Sequence, residues 1–299
     1  MDETVARAAA ILRAGGVIAL PTETVYGLAA DAANPAAIAR VYAIKGRPAD
    51  HPLILHLADA AALERYTRTP DARATLLAAR FWPGPLTLIV PKSDAVGAFV
   101  TGGQDTVALR VPDHPLALAV LRAFGGALAA PSANRFGRIS PTRAEHVASD
   151  LGAAVDLIVD GGPARIGVES TILDLTGDVP AILRAGAIGP SALGDVLGVP
   201  VLTRVGGPVR APGMLASHYA PNARLILAAD PPAEAQRRAA AGERACVLTL
   251  PGDPAAAARE LYATLRALDA GDYDAIVTAL PPDDEAHAAV RDRLTRAAG

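Results

Sequence analysis

Apolar positions in this chain switch repeatedly between a helical and an extended period. Val5, Ala8, Ala9 and Leu12 recur at helical spacing from Thr4 to Arg13, closed by Gly15-Gly16. Val17-Ile18-Ala19-Leu20 is then a continuous apolar run of strand type. It stops at Pro21, passes through Thr22-Glu23-Thr24-Val25-Tyr26 and turns at Gly27. Asn34-Pro35 supplies an N-cap and a first-turn proline. The helix they open carries Ile38, Val41 and Tyr42 on one face and runs out at Lys45-Gly46-Arg47-Pro48. Leu53 to Leu57 reads as the next strand, so the order is helix, strand, helix, strand.

The alternation continues. Helical segments are expected around Ala60 to Tyr66 and Asp71 to Phe81, followed by a rigid break at Trp82-Pro83-Gly84-Pro85. Strands are expected at Thr87 to Val90, Thr106 to Val111 and Ala127 to Ala130, with a helix between Pro115 and Leu121. Thr142 and Glu145 have capping-box spacing and should open a helix. Further strands fall at Asp156 to Asp160, Ser170 to Leu175 and Ala181 to Arg184, and a helix at Pro190 to Leu197. Many short strands interleaved with helices predict an α/β fold, a large twisted mixed sheet with flanking helices. From Thr203 to Pro221 the pattern gives way to Gly206-Gly207-Pro208, Pro212-Gly213 and Pro221, which reads as a linker. Beyond it, apolar strands at Leu225 to Leu227, Ala245 to Leu250 and Ala275 to Leu280 alternate with helices. They predict a smaller Rossmann-like unit, with no G-x-G-x-x-G to mark a dinucleotide. The expected division is a first domain over 1–202, a linker over 203–223 and a small domain over 224–299.

Length supports two domains, since 299 residues exceed one typical core. No apolar run is long enough to span a bilayer, and Met1-Asp2-Glu3 is not the start of a signal peptide, so a cytoplasmic protein is expected. The single cysteine, Cys246, excludes an intrachain disulfide and a cysteine metal cluster. A net charge of −3 argues against nucleic-acid binding through phosphates as the main activity, although a local basic groove remains compatible with it. Of 28 basic residues only Lys45 and Lys92 are lysine, which singles them out as places where a compact ammonium is needed.

The candidate chemistry lies at strand ends. Lys45 and Arg47 share a loop fixed by glycine and proline. Arg110 sits on an otherwise apolar strand, and Arg184 ends another. Cations in such places are costly unless an anion meets them. Ser132, Asn134, Ser140 and Ser170 add short donors. Together they suggest a pocket for a polyanion with a small polar partner. Each has a plainer reading: Arg110 paired with a structural carboxylate, His56 as a core histidine, Ser132-Ala133-Asn134 as a turn, Lys92 as a solvated strand end. P-loop, zinc-site and nucleophile-elbow motifs are missing.

Read in order, several motifs form one set: Pro21-Thr22-Glu23-Thr24-Val25-Tyr26-Gly27-Leu28, Lys45-Gly46-Arg47-Pro48, Pro52-Leu53-Ile54 and Trp82-Pro83-Gly84-Pro85-Leu86-Thr87. Arg110-Val111-Pro112, Pro131-Ser132-Ala133-Asn134 and Glu169-Ser170-Thr171-Ile172 complete it. The chain resembles the YrdC-like family of threonylcarbamoyl-AMP synthases. Pro212-Gly213-Met214 and Ser217-His218-Tyr219-Ala220-Pro221 resemble the linker of its long, two-domain form.

The resemblance implies a reaction in which L-threonine, bicarbonate and ATP give threonylcarbamoyl-AMP and pyrophosphate. It implies a magnesium ion whose ligands the motifs leave open, Glu23 and Glu169 being equally well structural. It also implies downstream proteins that transfer the threonylcarbamoyl group to tRNA, and no membrane partner. Position by position, Thr24, His56, Arg110, Ala130 and Ser170 match threonine-binding residues, Arg110 being suited to the carboxylate. Arg47, His51, Thr106, Ser132, Ser140 and Arg184 match ATP-contacting positions, and Asn134 belongs to the same motif. Lys45 and Arg47 are the expected catalytic cations, and Tyr219, with His218, belongs to a linker that folds over the nucleotide. His51 stands where the family often has asparagine, and Ala211 where serine is common. The main competing reading is a double-stranded-RNA-binding module of the same fold. A carbamoyl-handling domain of a larger maturation enzyme and an inactive paralogue are the others. The single cysteine speaks against the former; Lys45, Arg47, Ser132 and Asn134 speak against the latter.

Overall fold

Strands buried on both faces build the molecule. The computed structural model describes residues 3–204 and 218–299. Thus Ala211, Pro212, Gly213, Met214 and Ser217 of the expected linker lie outside the described residues, while His218 to Pro221 lie within them.

Ten strands form one sheet: β1 (Ile18–Leu20), β2 (Gly27–Asp31), β3 (Ile54–His56), β4 (Leu86–Pro91), β5 (Thr106–Arg110), β6 (Leu128–Ala129), β7 (Leu157–Ile158), β8 (Thr171–Asp174), β9 (Ala181–Arg184) and β10 (Leu202–Thr203). Their spatial order is β10-β9-β8-β4-β5-β3-β6-β2-β1-β7, with parallel and antiparallel pairs. Ile18 and Leu20 face a core shared with helices Glu3–Arg13 and Pro115–Phe124. Val17 and Ala19 face the opposite core, with Leu55, Leu88, Leu109 and helices Pro35–Lys45 and Ala72–Phe81. That is the two-residue period of a strand buried on both sides. A smaller cluster of Ile54, Ile89, Ala108, Ile172 and Leu183 lies beneath the strand ends that carry the cations.

A second sheet, in the order β11-β13-β12, is wholly parallel: β11 (Arg224–Leu227), β12 (Ala245–Val247) and β13 (Ala275–Thr278). Parallel strands need crossovers, and helices Pro231–Ala240 and Pro254–Asp269 supply them. The fold is the mixed sheet with a smaller Rossmann-like sheet that the sequence pattern predicts. The core of the second sheet is not separate. Leu225, Leu261 and Ile276 pack in one cluster with Val25, Ile139 and Val168, from loops between elements of the first.

Three local readings change. The stretch from Val17 to Leu28 is not one strand ending in a turn. Gly27 opens β2, which returns antiparallel to β1 with Leu20 opposite Gly27. Six residues, 21–26, therefore form a loop between paired strands, because the apolar run Leu28-Ala29-Ala30 can be buried only in the sheet. Thr142 does not cap a helix. The helix begins at Ala144 after Arg143, with no side-chain cap. Thr142 instead offers its N–H to His146 Nδ1 at 3.2 Å. Leu202–Thr203 pairs with β9, so the large sheet reaches one residue into the expected linker.

Candidate active site

Two loops and several strand ends converge on one cavity. Thr22 organises the first loop. Its Oγ1 accepts the N–H of Thr24 and Val25, each at 3.2 Å, and donates to the Val25 carbonyl at 2.6 Å. This is the local side-chain closure that threonine offers a turn. The second loop, 131–134, is sewn to the first. Leu28 N–H donates to the Pro131 carbonyl at 2.6 Å, and Ala133 N–H to the Tyr26 carbonyl at 2.8 Å. Tyr26 anchors the pair from behind through its hydroxyl, which donates to the Gly162 carbonyl at 2.7 Å.

Helix Pro35–Lys45 delivers Lys45. Asn34 caps its start, and Gly46 ends it in the left-handed conformation, φ 64°. Nζ of Lys45 donates to the carbonyls of Ser132 and of Asn134, the latter at 2.7 Å. An ammonium has three donors, so one remains for a ligand. Burial, then the charge of Arg47, pulls the Lys45 pKa well below its ordinary value. Arg47 donates to the Pro52 carbonyl at 3.1 Å and lies 5.5 Å over the Phe136 ring. Burial lowers its pKa to about 10.

Parallel pairing of β3 and β5 sets His56 beside Arg110. Burial, reinforced by Arg110, lowers His56 to about 3, so its imidazole is neutral. Arg110 donates through Nε to the Gly84 carbonyl at 3.1 Å. Its Nη2 lies 2.7 Å from Glu23 Oε1, and both side chains are almost wholly buried. That contact is an ion pair without well-aligned hydrogen bonds. Arg110 thus has the carboxylate partner of its plainer reading. Glu23 stands behind the cavity wall, between Arg110 and the side of His114.

The cavity is narrow, with about 40 Å³ free for the centres of water-sized groups, and it is partly open to solvent. Thr24, His56, Arg110, Ala130, Lys45, Arg47, Ser132, Asn134, Arg184 and Tyr219 all line it. Four of the sequence candidates do not. Ser170 sits one step back, its Oγ accepting from Arg184 Nη2 at 3.0 Å and sharing a 2.7 Å hydrogen bond with Thr87. Ser140 donates to Glu169 Oε1 at 2.6 Å. His51 packs its ring on Phe136, centroids 5.5 Å apart, and burial followed by Arg47 lowers its pKa. Thr106 starts β5, on the same face as Arg110 by alternation but two pleats away.

Sequence reasoning missed Thr22, Phe136 and the surroundings of Glu169, which also line the cavity or support it. Glu169 accepts from Ser140, from Tyr262 at 3.0 Å and from Arg293 Nε at 2.8 Å. Burial alone would raise its pKa, but Arg293 and Arg184 hold it at about 2. His218, lowered by burial to about 3, meets Tyr219 edge-on at 4.2 Å between ring centroids.

Buried polar atoms are normally hydrogen-bonded. Among the described residues, the buried side-chain atoms without such a partner belong to Arg47, His56, Arg110, Asn134, His218 and Tyr219, or to Glu23 and His114 behind Arg110. Unsatisfied groups concentrated on one cavity, with four cations against one carboxylate, define a class of protein: an α/β protein whose strand ends build a cationic pocket suited to anionic ligands.

The chain belongs to the Sua5/YciO/YrdC family. The profile of that family, described as telomere recombination, matches residues 10–186, and a profile described as the C-terminal domain of threonylcarbamoyl-AMP synthase matches residues 188–299. A threonylcarbamoyl-AMP synthase of Bacillus subtilis is 43% identical, covering 100% of this chain and 94% of that protein. One from Pyrococcus abyssi is 45% identical over 77% of this chain and 69% of its own length. A crystal structure of P. abyssi Sua5 complexed with L-threonine superimposes with a TM-score of 0.92 at 38% identity, covering 98% of this chain and 94% of that one. Among the described residues, no helix is long and apolar enough to cross a membrane.

Proposed function

We propose that this chain is an L-threonylcarbamoyladenylate synthase, a nucleotidyltransferase. In the proposed reaction the amine of L-threonine takes up bicarbonate with loss of water to give a carbamate. A carbamate oxygen then attacks the α-phosphorus of ATP and pyrophosphate leaves. The product feeds proteins that modify tRNA, and the setting is the cytoplasm. The observation that carries this reading is the gathering of unsatisfied buried donors and acceptors on one cationic cavity.

In this reading Thr24, His56, Arg110 and Ala130 form the threonine end, with Ser170 behind them. Arg110 faces the carboxylate, for which a guanidinium fork is well shaped. Lys45, Arg47, Ser132, Asn134, Arg184 and Tyr219 take the nucleotide, with His51, Thr106 and Ser140 supporting that end. Nucleotidyl transfer needs alignment and charge stabilisation more than a protein nucleophile. Lys45 and Arg47 supply both, the free ammonium donor of Lys45 being directed at the charge that develops on the phosphate. The division into 1–202, 203–223 and 224–299 goes with this reading, the first domain holding the chemistry.

The implied magnesium ion does not fit the protein's own carboxylates. Glu23 is committed to Arg110, and both oxygens of Glu169 already accept from Ser140, Tyr262 and Arg293. Among the described residues no cluster of three acidic, histidine or cysteine side chains is suited to a metal. The ion would therefore be held by the ATP phosphates. The test is pyrophosphate release from ATP and bicarbonate with and without L-threonine. Release should depend on threonine; release independent of it would overturn the assignment.

A further inference from the structure

The last helix of the chain, Ala288–Ala298, buries one charged side chain, Arg293, among its apolar residues Val290 and Leu294. It is far from the cavity in sequence and does not line it. Yet its guanidinium reaches both strands that hold the cavity's Ser170–Arg184 pair. Nε donates to Glu169 Oε2 at 2.8 Å, immediately before Ser170. Nη2 donates to the Ala185 carbonyl at 2.9 Å, immediately after Arg184. Between these anchors, Arg184 bonds to Ser170 twice, through Nε to its carbonyl at 3.1 Å and through Nη2 to its hydroxyl. One planar fork thus spans two adjacent strand ends and fixes their separation, a geometry that a lysine ammonium does not match.

The same guanidinium lies 5.1 Å over the ring of Tyr219, a cavity residue held at φ 65°. Tyr262, from helix Pro254–Asp269, backs Tyr219 from 5.8 Å and donates its hydroxyl to Glu169. That helix comes so close to Gly167 that a Cβ there would lie 2.5 Å from the Ala258 carbonyl oxygen. Gly189 and Ser191, beyond Arg184, are met by Glu285, whose Oε1 accepts the Ser191 N–H at 3.1 Å. The second sheet and its helices therefore dock on the segments that carry Glu169, Ser170 and Arg184.

We infer that Arg293 is a positioning residue of the active site: it clamps Glu169 to Ala185 and so sets Ser170, Arg184 and Tyr219 in register for the ligands. The C-terminal unit is then part of the catalytic machinery rather than an appendage. This rests on the synthase reading above. A buried arginine that merely glued two units together would not have to touch the residues on both sides of the Ser170–Arg184 pair, nor stack on a cavity tyrosine.

The experiment compares Arg293→Lys, Arg293→Met and Tyr262→Phe in the full-length protein. Steady-state pyrophosphate release is measured well below each variant's melting temperature. Wild-type, threonine-dependent release is the control: without it the synthase reading fails, and the clamp is then read from ATP and threonine binding alone. The expected result is a fall in kcat/KM for ATP of at least ten-fold in Arg293→Met, with Arg293→Lys between it and wild type. Removing Arg293 also strips Glu169 of a cation while Ser140, Tyr262 and Arg184 still face it, and His218 and Lys45 lie close by. The Glu169 carboxyl then titrates higher, so the acid limb of the pH profile moves to higher pH. If Arg293→Met does not fold, the lysine variant and Tyr262→Phe carry the test, the latter expected to lose about three-fold or more. Folded variants with lower melting temperatures but wild-type kcat/KM and an unmoved acid limb would make Arg293 structural only and overturn the inference.

Discussion

The Arg110–Glu23 pair offers a way to separate what a residue does for the fold from what it does for the ligand. Consider Arg110→Gln. The wild-type pair is 2.7 Å apart, with side-chain exposures of 5% and 1%. Removing the guanidinium leaves a carboxylate buried without its counter-charge, which costs about 3–5 kcal/mol in comparable buried pairs. Replacing Glu23 by Gln as well removes the stranded charge. The double variant should then lose only about 1–2 kcal/mol, the cost of imperfectly satisfied buried amides. The double variant is therefore about 2–3 kcal/mol more stable than Arg110→Gln alone, and Glu23→Gln alone closes the cycle. Urea unfolding followed by the fluorescence of Trp82, the only tryptophan, gives the stabilities. Calorimetric titration with L-threonine gives the binding. Threonine affinity should be lost in both Arg110 variants and not return with the Glu23 change. Two outcomes would refute the reasoning: equal stabilities for the single and double Arg110 variants, or threonine binding that survives without Arg110.

Lys45→Ala should lower threonine-dependent pyrophosphate release by roughly 10²–10³-fold, the range for losing one preorganised donor to a developing charge; near-wild-type turnover removes Lys45 from the mechanism. Acid should destabilise the protein through His56 and His218, each lowered by burial from 6.5 to about 3. Because the folded values lie below the unfolded one, their contribution is complete above about pH 6.5 and is lost as pH falls towards 3. At pH 5 each has given up about 2 kcal/mol, at ~1.4 kcal/mol per pH unit. Urea midpoints at pH 7 and pH 5 should differ accordingly, and a His218→Gln variant should show a smaller drop; identical midpoints contradict the buried neutral state. Gly167→Ala puts a Cβ at φ 85° against helix Pro254–Asp269. It should cost about 1–2 kcal/mol for the backbone alone, more with the clash, read as a lower melting temperature. An unchanged melting temperature would show that the two units do not pack tightly there.

Much of this architecture is visible in the sequence because local patterns decide it. Helix Pro35–Lys45 is announced by Asn34-Pro35 at one end and Gly46 at the other, and both perform as their chemistry requires. Lys45, Arg47, Ser132 and Asn134 are legible for a similar reason. Each sits in a loop whose glycine or proline narrows the backbone, so a charged or amide side chain there stands out. Short strands are harder. Gly27 looked like a turn because glycine has no side chain to betray burial, and Leu28-Ala29-Ala30 is too small and too brief a run to outweigh it. What periodicity cannot convey is which distant elements meet. Glu23 and Glu169 were ambiguous acids until the sheet order placed one on Arg110 and the other on Arg293, 124 residues away. The Thr142 cap failed on a competing local bond, because His146 one turn on takes the N–H that a capping glutamate would have served.

The placement of these acids explains the charge of the site. Four cations line the cavity, and each is held by an internal acceptor: carbonyls for Lys45 and Arg47, Ser170 for Arg184, Glu23 for Arg110. Carbonyl and hydroxyl oxygens orient a cation without cancelling it; a carboxylate cancels it. Glu169 is the carboxylate that lines the cavity itself, but Arg293 balances it from behind. The end with Lys45, Arg47 and Arg184 therefore keeps a net positive charge, while the end with Arg110 and Glu23 is close to neutral. A nucleoside triphosphate is a polyanion, and an amino acid at neutral pH is a zwitterion without net charge. The two ends of the cavity suit those two ligands in that order, and the charge division follows from which cation the fold pairs with a carboxylate. In the proposed function the Arg110 end can then recognise a carboxylate by local geometry while offering the triphosphate little reason to bind there.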